Sequence, residues 1–137
     1  YGCMSNFNRI GEGYFVSYRD PNLKRTVEVY EGVVDYLKNF TVSERDMTKY
    51  IIGTMSNVDH PMTPAIKGER SMNLYMNKVS EEMIRKEREQ ILDAGQEDIR
   101  ALAQVAEAVL KADQFCVIGS EEKIEENRDM FQTVTGF

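Results

Sequence analysis

The chain has 137 residues, enough for one domain with a hydrophobic core and too few for two comfortable ones. Hydrophobic residues make up 42% and charged residues 29%, the mix of an ordinary soluble globular protein. A net charge of −6 gives nucleic-acid binding no electrostatic support, and no stretch approaches the roughly 20 apolar residues of a membrane span, so neither is an expected partner.

In chain order, residues 3–10 (CMSNFNRI) read as a strand, and Gly11-Glu12-Gly13 as the tight link to a second strand over 14–19. In that second strand Tyr14, Val16 and Tyr18 share one face, and Phe15, Ser17 and Arg19 the other. Asp20 has the chemistry of a helix N-cap, and Pro21 suits the first helical position, where no N–H is needed. A helix is therefore predicted over 21–39, with Leu23, Thr26, Val27, Tyr30, Val33, Val34 and Leu37 as its apolar face.

Ser43 with Asp46 forms a capping-box-like pair opening a second helix, whose stripe is Met47, Tyr50, Ile51 and Met55; Gly53 weakens it. Asp59-His60-Pro61-Met62-Thr63-Pro64 reads as a loop, because two prolines so close forbid a regular helix. A third helix from Ala65 places Met72, Tyr75, Met76 and Val79 on one stripe. Ser80 caps a fourth, with Glu81–Arg85 and Glu82–Lys86 as i,i+4 pairs on a solvated face.

After Gly95 a fifth helix spans 96–112, with Ile99, Leu102, Ala103, Ala106 and Leu110 inward. Residues 114–118 (QFCVI) then read as a short, central, buried strand, and Ser120 caps a last acidic helix running to about residue 131. The predicted class is α+β: an antiparallel sheet covered on one face by helices.

Chemistry-bearing motifs are sparse. Cys3 and Cys116 lie far apart, in predicted strands, and read as reduced, buried thiols of a cytoplasmic-type compartment. A single His60 cannot build a multi-histidine site, and beside Pro61 it reads as a loop-anchoring side chain. There is no HExxH, HxxEH, GxSxG, P-loop or GxGxxG. A hydrolase that uses Cys3 or Cys116 with His60 is the weakest of three readings; the others are a domain of a larger enzyme and a free-standing scaffold or interaction domain. The chain opens on Tyr1-Gly2 without a methionine, so it is expected to be a piece of a longer protein, incomplete at its N-terminal side.

Tyr1-Gly2, the turn Ser17-Tyr18-Arg19-Asp20-Pro21-Asn22, the loop DHPMTPAIKG (59–68), the helical RKEREQIL (85–92) and the apolar run before Gly119 occur in this order across nearly the whole chain. Together they resemble the C-terminal end of an insulinase (pitrilysin) type zinc metallopeptidase of the presequence-protease subfamily. The resemblance implies a single C-terminal, non-zinc domain over 1–137, half of a metallopeptidase α/β sandwich unit. It implies zinc in the parent enzyme and none in this chain, and no catalytic residue within these residues. It also implies peptide degradation in a closed chamber, with substrate contact through Tyr1. The tyrosine of this family approaches the substrate carbonyl and follows an arginine, which would precede Tyr1. The SYRDPN turn is expected to be scaffold. Expected partners are the remainder of the parent chain or a second copy, and a peptide substrate.

Overall fold

The computed structural model describes residues 2–8 and 10–136. Packing divides the chain into two compact units: a hairpin unit, formed by the residues up to Asn39 and from Arg100 onward, and a helical unit, Phe40–Ile99.

In the hairpin unit, β1 (Gly2–Phe7) pairs antiparallel with β2 (Gly13–Tyr18) in the register Gly2↔Tyr18, Met4↔Val16 and Phe7↔Gly13. The connection is closed by Asn8, whose side-chain oxygen accepts from the Glu12 N–H (2.9 Å) and the Ile10 N–H (3.1 Å). Gly11 takes φ +88° there, a conformation open to glycine at little cost. The alternation along β2 holds: Phe15 and Ser17 turn inward, while Tyr14, Val16 and Tyr18 stay exposed.

Asp20 is not the N-cap. Asn22 occupies that position, and α1 runs Leu23–Glu31. Asp20, Pro21 and Asn22 fold instead as an Asx turn, in which the Asn22 N–H donates to Asp20 Oδ1 (2.9 Å) and pushes the helix start two residues on. Pro21 therefore precedes the cap. Asp20 still holds the helix from outside through a short hydrogen bond from the Thr26 hydroxyl. The strand stops at Tyr18 because Arg19 turns into the left-handed region (φ 56°), its guanidinium lying 5.3 Å from the Tyr18 ring centroid.

The helix predicted over 21–39 is two: α1 and α2 (Val33–Lys38), parted at Gly32. Glycine carries the largest backbone entropy cost in a helix, so the break falls there. The ladder nonetheless persists across it, from Gly32 N to Glu28 O (3.1 Å) and from Tyr36 N to Gly32 O (3.0 Å).

The helical unit contains α3 (Glu44–Val58), α4 (Pro64–Met76) and α5 (Glu81–Leu92), and α6 (Gln96–Lys111) begins in it. Ser43 and Ser80 cap as expected, accepting from the Asp46 and Met83 N–H groups at 3.2 Å each. Thr63 caps α4 and Pro64 opens it, so the helix starts inside the segment read as loop; a proline is tolerated at a helix's first position. Arg88 of α5 pairs with Asp59 at the end of α3, and its buried Nε has no hydrogen-bond partner among the described residues. Arg85 pairs with Glu89 (3.7 Å). The Gln96 side chain accepts from the Val42 N–H (2.9 Å), and buried Phe40 meets Tyr50 with ring centroids 6.3 Å apart.

Helix α4 ends in a Schellman motif. Val79 N–H donates to Leu74 O (2.9 Å) and Lys78 N–H to Tyr75 O (3.1 Å). Lys78 occupies the left-handed position at φ 55°, where glycine is usual. Val79 is therefore the closing residue of the motif, outside the helix, and Met72, Tyr75 and Met76 are exposed.

Several expectations of burial fail. On α6, Ala103 (2% exposed) and Ala106 (0%) are buried, but Leu102 is 47% exposed. Residues 114–118 form no strand: the described residues contain one sheet of two strands, and Phe115 and Ile118 are exposed. A strand exists through its neighbour's hydrogen bonds, and none reach this segment. Phe115 instead stacks on Phe131 at 5.6 Å. Cys3 and Cys116 are accordingly free and exposed, not buried. Ser120 caps α7 (Glu121–Glu126) as expected, but the helix stops at Asn127 and a short 3-10 turn, Arg128–Met130, follows.

Two stability predictions follow from this packing. A Cβ built on Gly13 would lie 2.6 Å from Val109 Cγ2 and 2.8 Å from Phe7 Cδ1, so Gly13→Ala should destabilise by about 1–3 kcal/mol, measured by urea unfolding. Lys78→Gly should stabilise by about 0.5–1 kcal/mol by relieving the left-handed strain, and an unchanged or lower midpoint would contradict it.

Candidate functional site

The hairpin unit presents the larger cavity, about 1710 Å³, lined by β2, the start of α1, the end of α6 and residues 113–120. The inner face of the hairpin builds one wall. Phe15 stacks on Tyr30 of α1 (centroids 5.3 Å apart, planes 26°) and meets Phe7 edge-on (5.8 Å, 80°). The Ser17 and Tyr30 hydroxyls share a 2.5 Å hydrogen bond. Period-two alternation puts Phe15 and Ser17 on one face of β2, and the Asp20 turn brings α1 back against that face. One helix side chain therefore satisfies both the aromatic and the polar partner.

Asp20 sits in the cavity wall. The Thr26 hydroxyl, the Asn22 N–H and the Ser17 hydroxyl, in that order of influence, hold its carboxyl below the ordinary value. These are hydrogen bonds to the charged form, and they orient the strand-to-helix turn. Within SYRDPN, Ser17 bonds Tyr30, Asp20 accepts from Asn22 and Thr26, and Arg19 lies over the Tyr18 ring.

Tyr1, the sequence's one substrate-binding candidate, lies outside the described residues. Its neighbour Gly2 opens β1 opposite Tyr18. His60 Nδ1 lies 3.1 Å from Asn57 O, in keeping with a loop anchor. It lines a separate cavity of about 600 Å³ in the helical unit, with Met62, Arg70, Leu74 and Val79. Sequence reasoning missed that cavity, whose lining comes from α4 and the segments on either side of it. Among the described residues, no group of three or more His, Cys, Asp or Glu side chains is placed to hold a metal. The donor set of these residues does not fit a zinc centre. Among the described residues, no helix is long and apolar enough to cross a membrane.

The described residues form an α+β fold in which a hairpin docks on a helix. The chain belongs to the family described as the PreP C-terminal domain, whose model matches residues 1–121. It is 46% identical over 134 residues to "Protein HypA" of Clostridium perfringens, covering 98% of this chain and 14% of that protein. It is 33% identical over 126 residues to "Presequence protease 1, chloroplastic/mitochondrial" of Arabidopsis thaliana, covering 91% of this chain and 12% of the relative. It is 32% identical over 130 residues to "Presequence protease, mitochondrial" of Xenopus tropicalis, covering 95% and 12%. The chain thus spans only about an eighth of the length of these relatives.

The depressed Asp20 carboxyl gives a pH prediction. A group whose folded pKa lies below its unfolded value contributes stability that is complete above the unfolded pKa, about 4, and is lost as pH falls through the folded value. The melting-temperature gap between wild type and Asp20→Ala should therefore be widest near neutral pH and close in acid. A gap independent of pH would show that the carboxylate charge is not what holds the turn.

Proposed function

We propose that this chain is the C-terminal domain of a longer, insulinase-type zinc metallopeptidase, a hydrolase that degrades peptides. In this reading the 137 residues are one domain, incomplete at its N-terminal side. They form a wall of the substrate chamber and leave the metal to another part of the polypeptide. The observation that carries the reading is the family match across residues 1–121, supported by relatives whose names are those of presequence proteases. Two free, exposed thiols suit a reducing compartment such as the cytoplasm.

Tyr1 is the proposed substrate contact. Its phenol O–H would donate to the peptide carbonyl as that oxygen gains negative charge. Stabilisation of this type makes its largest contribution in the transition state, so its loss should appear in kcat more than in KM. The zinc, held elsewhere, would polarise the same carbonyl and activate water. No described residue of this chain takes part in that step.

A second reading, a non-catalytic scaffold domain of the same fold, draws on the exposed outer face of the hairpin, where Met4, Tyr14, Val16 and Tyr18 meet solvent. One experiment separates the two. In the full-length protein, Tyr1→Phe should lower kcat for peptide cleavage by roughly 10²-fold while bound zinc stays constant. An unchanged rate would remove Tyr1 from the mechanism and favour the scaffold. The isolated chain should carry no stoichiometric zinc, and one tightly held ion per chain would overturn the assignment of the metal to another part of the polypeptide.

A further inference from the structure

The cavity of the helical unit holds about 600 Å³ and lies wholly within Phe40–Ile99. Small-molecule pockets measure roughly 300–1,000 Å³, so its size suits a small ligand. One face of α4 builds most of it. Ile66, Arg70, Asn73, Leu74 and Asn77 fall at the three- and four-residue spacings that share a helix face, and all line the cavity. Met62 enters from the segment before α4. Val79 folds back over the helix end through its bond to Leu74 O. Met62, Ile66, Leu74 and Val79 make the apolar part of the lining.

The polar part is under-engaged. Arg70 reaches Val58 O at 3.5 Å and Met62 Sδ at 3.9 Å, both through Nη1. These are long contacts for a guanidinium, and among the described residues no carboxylate pairs with it. Its other nitrogens have no partner among the described residues and are not sealed from solvent. Glu69 lines the same cavity and pairs with no cation among the described residues. Consecutive helix positions diverge by about 100°, so Glu69 and Arg70 do not face each other and do not neutralise each other. Asn77 Nδ2 donates to Asn73 O (2.8 Å), while the side-chain amide of Asn73 bonds nothing among the described residues.

We propose that this cavity binds a short apolar peptide, two residues long, with both termini free. Its carboxylate takes the planar fork of Arg70, and its ammonium takes Glu69. The Asn73 amide bonds the internal peptide group, and leucine-sized side chains rest on Met62, Ile66 and Leu74. A ligand bearing only a carboxylate would meet repulsion from Glu69, and one bearing only an ammonium would meet it from Arg70. A dipeptide separates its charges by at least one Cα–Cα step, about 3.8 Å, which is also the step between adjacent helix positions. It therefore satisfies both side chains at once. This goes beyond the proposed function and stands on residues that function does not use.

The test is isothermal titration of the full-length protein with leucyl-leucine, which should show one saturable site per chain. Arg70→Gln should weaken binding at least about tenfold, because a charge-assisted contact is lost. Glu69→Gln should weaken it by a smaller factor, since Glu69 is exposed. Leucyl-leucine amide should bind the unaltered protein at least about tenfold more weakly than the free acid, and Arg70→Gln should bind acid and amide alike. The amide comparison needs no substitution, so a misfolded variant leaves the proposal open to refutation. The loss of discrimination in Arg70→Gln ties the carboxylate to this cavity and not to a peptide site elsewhere in the protein. Absence of saturable binding, equal affinity of the unaltered protein and Arg70→Gln for leucyl-leucine, or binding of isocaproate as tight as that of the dipeptide would each overturn it.

Discussion

The hairpin unit depends on one side chain, Tyr30. Its ring stacks on Phe15 and its hydroxyl meets Ser17, and these are the two inward residues of β2 that follow Gly13. An isolated two-stranded hairpin is marginal in water. This one is held because a helix offers it an aromatic face and a hydrogen-bond partner together. An aromatic pair contributes about 0.5–1.5 kcal/mol beyond its buried area, and a partly buried hydroxyl pair about 1 kcal/mol more. At the opposite end Gly13 allows Val109 and Phe7 to close against the backbone. The Asp20 turn sets the distance between β2 and α1, so it governs whether Tyr30 reaches Phe15 at all.

The helical unit is organised differently. It has no sheet, and Phe40, 7% exposed, is its one buried large side chain among the described residues. Polar contacts at helix ends fix its geometry instead: the serine and threonine caps, the Asp59–Arg88 pair and the Schellman closure at Lys78. The orphaned Arg88 Nε belongs to this pattern. A guanidinium drawn down to reach Asp59 leaves one of its donors without a partner.

Local chemistry was legible in the sequence; relations between distant segments were not. The caps at Ser43, Ser80 and Ser120 could be read because a cap is decided within four residues. The facing of β2 could be read because alternation is a property of the strand alone. Asp20 was misplaced by two residues, because an Asx turn and an N-cap use the same carboxylate on neighbouring N–H groups. The apolar run at 114–118 has a strand's composition, but a strand needs a partner that composition does not specify. Tyr75 and Met76 have a core stripe's spacing, yet spacing identifies a face and not what covers it. The family resemblance was legible for a different reason, since short motifs kept in order survive where burial cannot be inferred.

The exposed cysteines carry a consequence of their own. Cys116 lies in the wall of the uncovered cavity, and Cys3 on the neighbouring strand, both as free thiols. A thiol exposed in this way is open to sulfenic acid formation and to mixed disulfides with other chains. An unpaired strand edge alone promotes reversible association. With a thiol beside it, that association can be locked covalently, leaving a redox signature: a ladder of oligomers that a reductant collapses.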